Sequence, residues 1–196
     1  MAVPRVLNRR KSNLFTEEQK RPFMTDQVAS SAKYNLTSFL GDLGSLPFIL
    51  LAGLMANAHF NGPGLQGAAI FGLYAPYIFI GYSAVILSFL SGALWERERQ
   101  RSKVAEPNRL ATVTILFSNF IALSAWACLL LIYVAPIMTV FALCLLMAGF
   151  LSLLWVERLT AEASLTDSSY WSMRIRITIL VVLLHALVAA LMLGEL

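Results

Sequence analysis

Three polar residues interrupt long apolar stretches of the chain: Asp42, Asn119 and His185. A carboxylate such as Asp42 takes up a proton or a cation. An imidazole such as His185 exchanges a proton or ligates a metal, and an amide such as Asn119 both donates and accepts hydrogen bonds. A second set, Glu157, Trp171, Arg174 and Arg176, stands where apolar stretches give way to charge. Asp42, Glu157, Arg174 and Arg176 are the only groups suited to acid–base work at one interface, and for that they must converge in an open cleft. The competing expectation is that they pair off. Glu157 and Arg174 then form a salt-bridge network, and Asp42 pairs with Arg174, Arg176 or Lys33. Asp42 lies roughly 9 Å into its stretch, shallow enough to favour pairing. Asn119 and His185 are expected to hydrogen-bond a neighbouring helix. His59 and His185 fall at different depths, and Cys128 and Cys144 lack a Cys-x-x-Cys spacing, so no metal or cofactor is expected. No Gly-rich phosphate loop, His-Glu-x-x-His or Gly-x-Ser-x-Gly element is present, and no enzyme is expected.

The elements that hold these residues follow from composition. Of 196 residues, 58% are apolar and 13% charged, against roughly 45–50% and 25% in soluble domains. Too little polar surface remains to cover a soluble globule. Five stretches reach the ~20 residues that span about 30 Å of hydrocarbon: 36–58, 77–95, 110–133, 136–156 and 177–193. They are continuous and Leu/Ala-rich, not alternating, which selects helices over barrel strands. The expected fold is an all-α integral membrane protein, a bundle of five transmembrane helices preceded by a polar, basic tail at residues 1–35.

Lys and Arg set the direction. Seven precede the first span, five separate the second from the third, and three separate the fourth from the fifth. The other two loops hold none, so the N-terminus is expected inside and the C-terminus outside. Trp95, Trp155 and Trp171 fall at inner ends, and Tyr74, Tyr77 and Tyr133 at outer ends, as interfacial belts require. The basic inner face would attract anionic lipid. No nucleic-acid partner is expected.

Glu96 to Arg101 reads as the second helix emerging into water, with Glu96–Arg99 and Glu98–Arg101 pairs at i, i+3, and Pro107 as its stop. Gln66 to Tyr74 reads as a short interfacial helix after the Asn61-Gly62-Pro63-Gly64 turn, or as an early start of the second helix kinked at Pro76. On the second span, Gly81, Ala84, Ser88, Ser91 and Gly92 compose a small-residue seam for close helix packing inside the bundle or against a partner.

Leu40-Gly41-Asp42-Leu43-Gly44-Ser45-Leu46-Pro47-Phe48, the run from Gly81 to Trp95, and Tyr170-Trp171-Ser172-Met173-Arg174-Ile175-Arg176-Ile177-Thr178 resemble, in order and spacing, the motifs of the domain-of-unknown-function 3429 family. The resemblance covers residues 36 to 190. It departs at Glu96 and Ser91, where glycine is usual. It implies a small bacterial inner-membrane protein, with transmembrane protein 69 of animal mitochondria as a relative, and no established activity.

These readings converge on a non-catalytic accessory or assembly component that binds membrane lipids and a larger membrane complex or further copies of itself. The alternative is a small oligomeric transporter or channel with Asp42, Ser118, Asn119, Ser124 and His185 along its path. The bacterial inner membrane is the expected location, and the mitochondrial inner membrane the alternative, on the strength of the basic, acid-free residues 1–16.

Overall fold

A computed structural model describes residues 20–102, 109–161 and 168–195. Five helices follow one another: α1 (Lys20–Asn61), α2 (Ala75–Arg101), α3 (Arg109–Leu131), α4 (Pro136–Thr160) and α5 (Ser168–Leu193). Each contains a stretch long and apolar enough to cross a membrane: Phe39–Asn61, Ala75–Arg101, Arg109–Leu131, Pro136–Thr160 and Tyr170–Leu193. The five-helix architecture is therefore the observed one. By compactness the chain divides at Gly41. The described part of the first unit, from Lys20, is helical. Residues 1–19 of the tail, and Pro107, lie outside the described residues. Everything below concerns the second unit, Asp42–Leu196.

One spacing organises this unit. On α3 the buried positions are Ala111, Thr114, Ser118, Ile121, Ala125 and Cys128. On α4 they include Thr139, Leu143, Leu146, Phe150, Leu153, Glu157 and Thr160. On α5 they include Trp171, Arg174, Thr178, Val181, His185, Val188 and Met192. Steps of three and four alternate throughout, and the same holds for Ile80, Ala84, Leu87, Ser91, Leu94 and Glu98 on α2. A 3.5-residue repeat keeps one seam of each helix facing its neighbours, as in left-handed membrane bundles. Helix α2 packs on α3 and α4, α3 on α4, and α4 on α5. Helix α1 enters through Ser45, Phe48, Ala52 and Met55. The Phe48 ring meets Phe79 at 5.4 Å and Phe150 at 6.4 Å.

The seams explain why α2 and α5 outrun the apolar stretches read from sequence. Helix α2 continues past Trp95 to Arg101, and the fifth span begins at Tyr170 and not at Ile177. Charge ends a hydropathy stretch but not a helix. Glu96 accepts hydrogen bonds from Arg99 at 2.8 and 2.9 Å, one turn on, and Glu98 and Arg174 sit on buried seam positions.

The segment between α1 and α2 corrects an expectation. It is not a helix over Gln66–Tyr74, nor an early start of α2. A single 3-10 turn, Leu65–Gly67, leads into a hairpin of β1 (Ala69–Ile70) and β2 (Leu73–Tyr74). Phe71 and Gly72 both have positive φ, 52° and 78°. That is the demand of a two-residue hairpin turn, which glycine meets without strain. Pro76 lies in the first turn of α2, where a missing N–H costs nothing, and does not kink it.

Close helix approach occurs where glycine meets a large side chain. A Cβ on Gly149 of α4 would stand 2.6 Å from Leu87 Cδ2 of α2. Gly149→Ala is therefore expected to lower the unfolding temperature in detergent, by overpacking of about 1–3 kcal/mol. Combined with Leu87→Ala, it should cost less than the two single losses added together. Strict additivity in that double-mutant cycle would show that the approach is not limiting.

Candidate functional site

The seams of α2, α4 and α5 bring charged side chains together at one end of the bundle. Arg174 Nε donates to Glu157 Oε2 at 2.8 Å, and both side chains are buried. Glu98 is buried beside two bases, with Arg101 Nη1 at 3.4 Å and Arg97 Nε at 3.6 Å from its Oε1. Thr160, at the end of α4, ties these to its own helix. Arg97 Nη2 donates to its hydroxyl at 2.8 Å, and Arg101 Nη1 to its carbonyl at 2.9 Å. The Arg158 guanidinium lies over the Trp171 ring, 5.3 Å from its centroid. The Tyr170 ring packs against Trp171, and its hydroxyl feels the charges of Glu157, Arg174 and Arg97. This cluster thus contains four arginines against two glutamates. Two charges held in a poorly polarisable medium attract strongly, and removing one of them leaves its partner desolvated and unmatched.

The sequence singled out part of this cluster. Glu157, Trp171 and Arg174 belong to it, and Arg176 does not. Two residues on an α-helix are about 200° apart, so Arg176 points away from the seam that holds Arg174. Arg176 Nη2 donates to Asp42 Oδ1 at 2.6 Å, and both side chains are more than half exposed. Asp42, Glu157, Arg174 and Arg176 therefore form two separate pairs. Glu98 was expected only as the partner of Arg101 on a helix emerging into water, and Arg97 and Thr160 had no expected role. The signal for the burial of Glu98 is the three-and-four spacing, which puts it in register with Leu87, Ser91 and Leu94.

The intramembrane polar residues behave differently from expectation. Neither Asn119 nor His185 bonds a neighbouring helix. Asn119 Nδ2 donates to the Ile115 carbonyl at 3.1 Å, and His185 Nδ1 to that of Val181 at 2.8 Å. A carbonyl one turn back is already within reach, which is how short polar side chains satisfy themselves in helices. Ser118 and Ser124 do the same, to Ile115 and Phe120. Ser118 and His185 are buried while Asn119 and Ser124 face outward, so these groups line no common path. The His185 ring is enclosed by Phe79, Phe150 and Phe48 at 4.8, 5.6 and 5.7 Å, and its Nε2 has no hydrogen-bond partner.

The small-residue seam of α2 divides. Ala84 and Ser91 are buried and Ser88 half-buried, but a Cβ on Gly81 or Gly92 would meet nothing within 4 Å. A groove of about 270 Å³ opens beside it, walled by Phe117, Ile121, Leu145 and Leu146 and floored by Leu87 and Gly149. The thiol of Cys128 is buried and faces the Ala142 carbonyl at 3.7 Å, whereas Cys144 is exposed. Among the described residues, no group of three His, Cys, Asp or Glu is placed to hold a metal.

At the opposite end a latch joins α5 to the segment after α1. His59 Nδ1 lies 2.9 Å from Glu195 Oε1, and the Leu65 N–H donates to both Glu195 oxygens at 2.7 and 2.9 Å. These hydrogen bonds, the His59 one first, hold the Glu195 carboxyl below its ordinary range. The latch had no sequence signal, because its partners are 136 and 130 residues apart.

A family model described as "Protein of unknown function (DUF3429)" matches residues 35–190. No curated protein matches, and no solved structure matches.

Two outcomes test this geometry by thermal unfolding in detergent. Arg174→Met leaves Glu157 buried and unmatched and should cost about 3–5 kcal/mol, whereas Arg174→Met with Glu157→Leu should restore much of it. Equal losses in single and double variants would remove the pair from the core's energetics. The second concerns pH. A carboxyl with a lowered folded-state pKa stabilises above its unfolded pKa, and that contribution disappears as pH falls through the folded value. Wild type should unfold at a higher temperature than Glu195→Gln at pH 7, and the gap should close only below about pH 4. A gap unchanged at pH 3 would contradict the latch.

Proposed function

The chain belongs to the DUF3429 family, whose description assigns no activity, and from that premise we propose a non-catalytic accessory or assembly component that binds partners through helix–helix contacts. One observation carries this reading. The outward faces of the helices keep unfilled small-residue positions at Gly81 and Gly92 and an apolar groove between α3 and α4. The polar side chains of the spans are, by contrast, largely engaged on their own helices or in pairs. In hydrocarbon, association rests on close backbone approach and packing, for which open glycines and a groove are the suited surface. Acid–base chemistry would need ionisable groups converging in a cleft, and Asp42–Arg176 and Glu157–Arg174 stand as closed pairs.

The arginine-rich end of the bundle is proposed to face the cytoplasm of a bacterial inner membrane, following the positive-inside rule. The latch of Glu195, His59 and Leu65 then stands on the outer side.

Native electrophoresis of source membranes in mild detergent, with mass spectrometry of the band holding this chain, tests the proposal. The expected result is a band far above one chain plus detergent, with co-migrating proteins, that shifts down when Gly81→Leu and Gly92→Leu are introduced. A monomer or small homo-oligomer that carries ions or metabolites across liposomes would overturn it.

A further inference from the structure

The charged cluster at the arginine-rich end is not closed on itself. Arg174 gives its Nε to Glu157, and Arg97 gives its Nη2 to Thr160 with its Nε 3.6 Å from Glu98. Arg158 rests on Trp171 with no carboxylate in ion-pair range among the described residues. Tyr170, whose ring lies 6.3 Å from that of Trp171, brings a hydroxyl to the same end. The guanidinium groups thus outnumber the two acids among them, Glu157 matched by Arg174 and Glu98 by Arg97 and Arg101, and Arg158 is left over.

We propose that this cluster binds the phosphate of an anionic phospholipid headgroup. Three features select that ligand. A guanidinium stacked on an indole is held flat, with its edge donors free to grip a phosphate in bidentate fashion. Helices α2, α4 and α5 carry spans, so their charged ends stand at headgroup level. Tyr170, Trp171 and the exposed Trp155 mark that level as interfacial aromatics do. The net charge of the cluster is positive, so an anionic lipid is favoured over a zwitterionic one. The site is independent of the proposed accessory role: it contacts lipid at the end of the bundle, not a partner along its side.

Native mass spectrometry of the full chain in neutral detergent, titrated with phosphatidylglycerol or phosphatidylcholine, reads the site directly. Wild type should retain phosphatidylglycerol preferentially. Arg158→Gln should weaken that retention roughly fivefold, and so should Arg158→Lys, which keeps the charge but loses the fork. Arg109→Gln, on an arginine of α3 outside the cluster, should leave it unchanged. Unfolding temperatures of the lipid-free variants separate lost binding from lost folding. Equal retention of the two lipids, an equal effect of Arg109→Gln, or inorganic phosphate displacing the lipid at matched concentration would each overturn the proposal.

Discussion

Every helix of the bundle buries side chains at alternating intervals of three and four residues, and the remaining features depend on that repeat. A membrane supplies no water to drive helices together, so association rests on continuous packing along a seam. The repeat provides it over the described length of α2 to α5, and α1 joins through Phe48 and Met55. It also decides which polar residues are buried. Arg174 lies on the seam and Arg176 does not, so one forms a buried pair and the other an exposed pair, although they are two residues apart.

Polarity is distributed by depth. In the middle, serine, asparagine and histidine side chains hydrogen-bond the preceding turn of their own helices, so the centre of the bundle carries aromatic and aliphatic contacts. Charges gather at one end, where Glu98 and Glu157 are buried beside arginines of α2 and α5. The other end is joined by a carboxylate that accepts from a histidine and a backbone N–H. The outer surface along the spans is left to packing, with open glycines on α2 and a groove beside α3. A charged end suited to lipid phosphates and a side suited to helices are thus separate surfaces of one molecule.

Hydropathy made the five spans legible, and the i, i+3 spacing made the Glu96–Arg99 and Glu98–Arg101 pairs legible. The helix ends were harder to read. Glu98 looks like a surface residue when counted as a charge, and only its register with Leu87, Ser91 and Leu94 shows that α2 continues into a packed region. The short hairpin was read as helix because Gln66 to Tyr74 carries apolar residues at suitable intervals. The positive φ at Phe71 and Gly72 is a backbone property that composition does not report. Glu195 offered no local signal, since its partners lie at the far end of the sequence. The family motifs contain Trp171, Arg174 and Arg176, and the structure places the first two on the buried seam of α5 and Arg176 off it, paired with Asp42.

The first and last spans are joined at three depths. Asp42 meets Arg176 near one end, Phe48 meets His185 in the middle at 5.7 Å, and His59 meets Glu195 near the other end. In a chain threaded into the bilayer from its N-terminus, α1 arrives first, and its Phe48 finds Phe79 on α2 and Phe150 on α4, but Asp42 has no Arg176 to meet until α5 follows. The contacts of Phe48 with other phenylalanines are thus complete once α4 is in place, while the two polar ties of α1, Asp42 to Arg176 and His59 to Glu195, wait for the end of the chain.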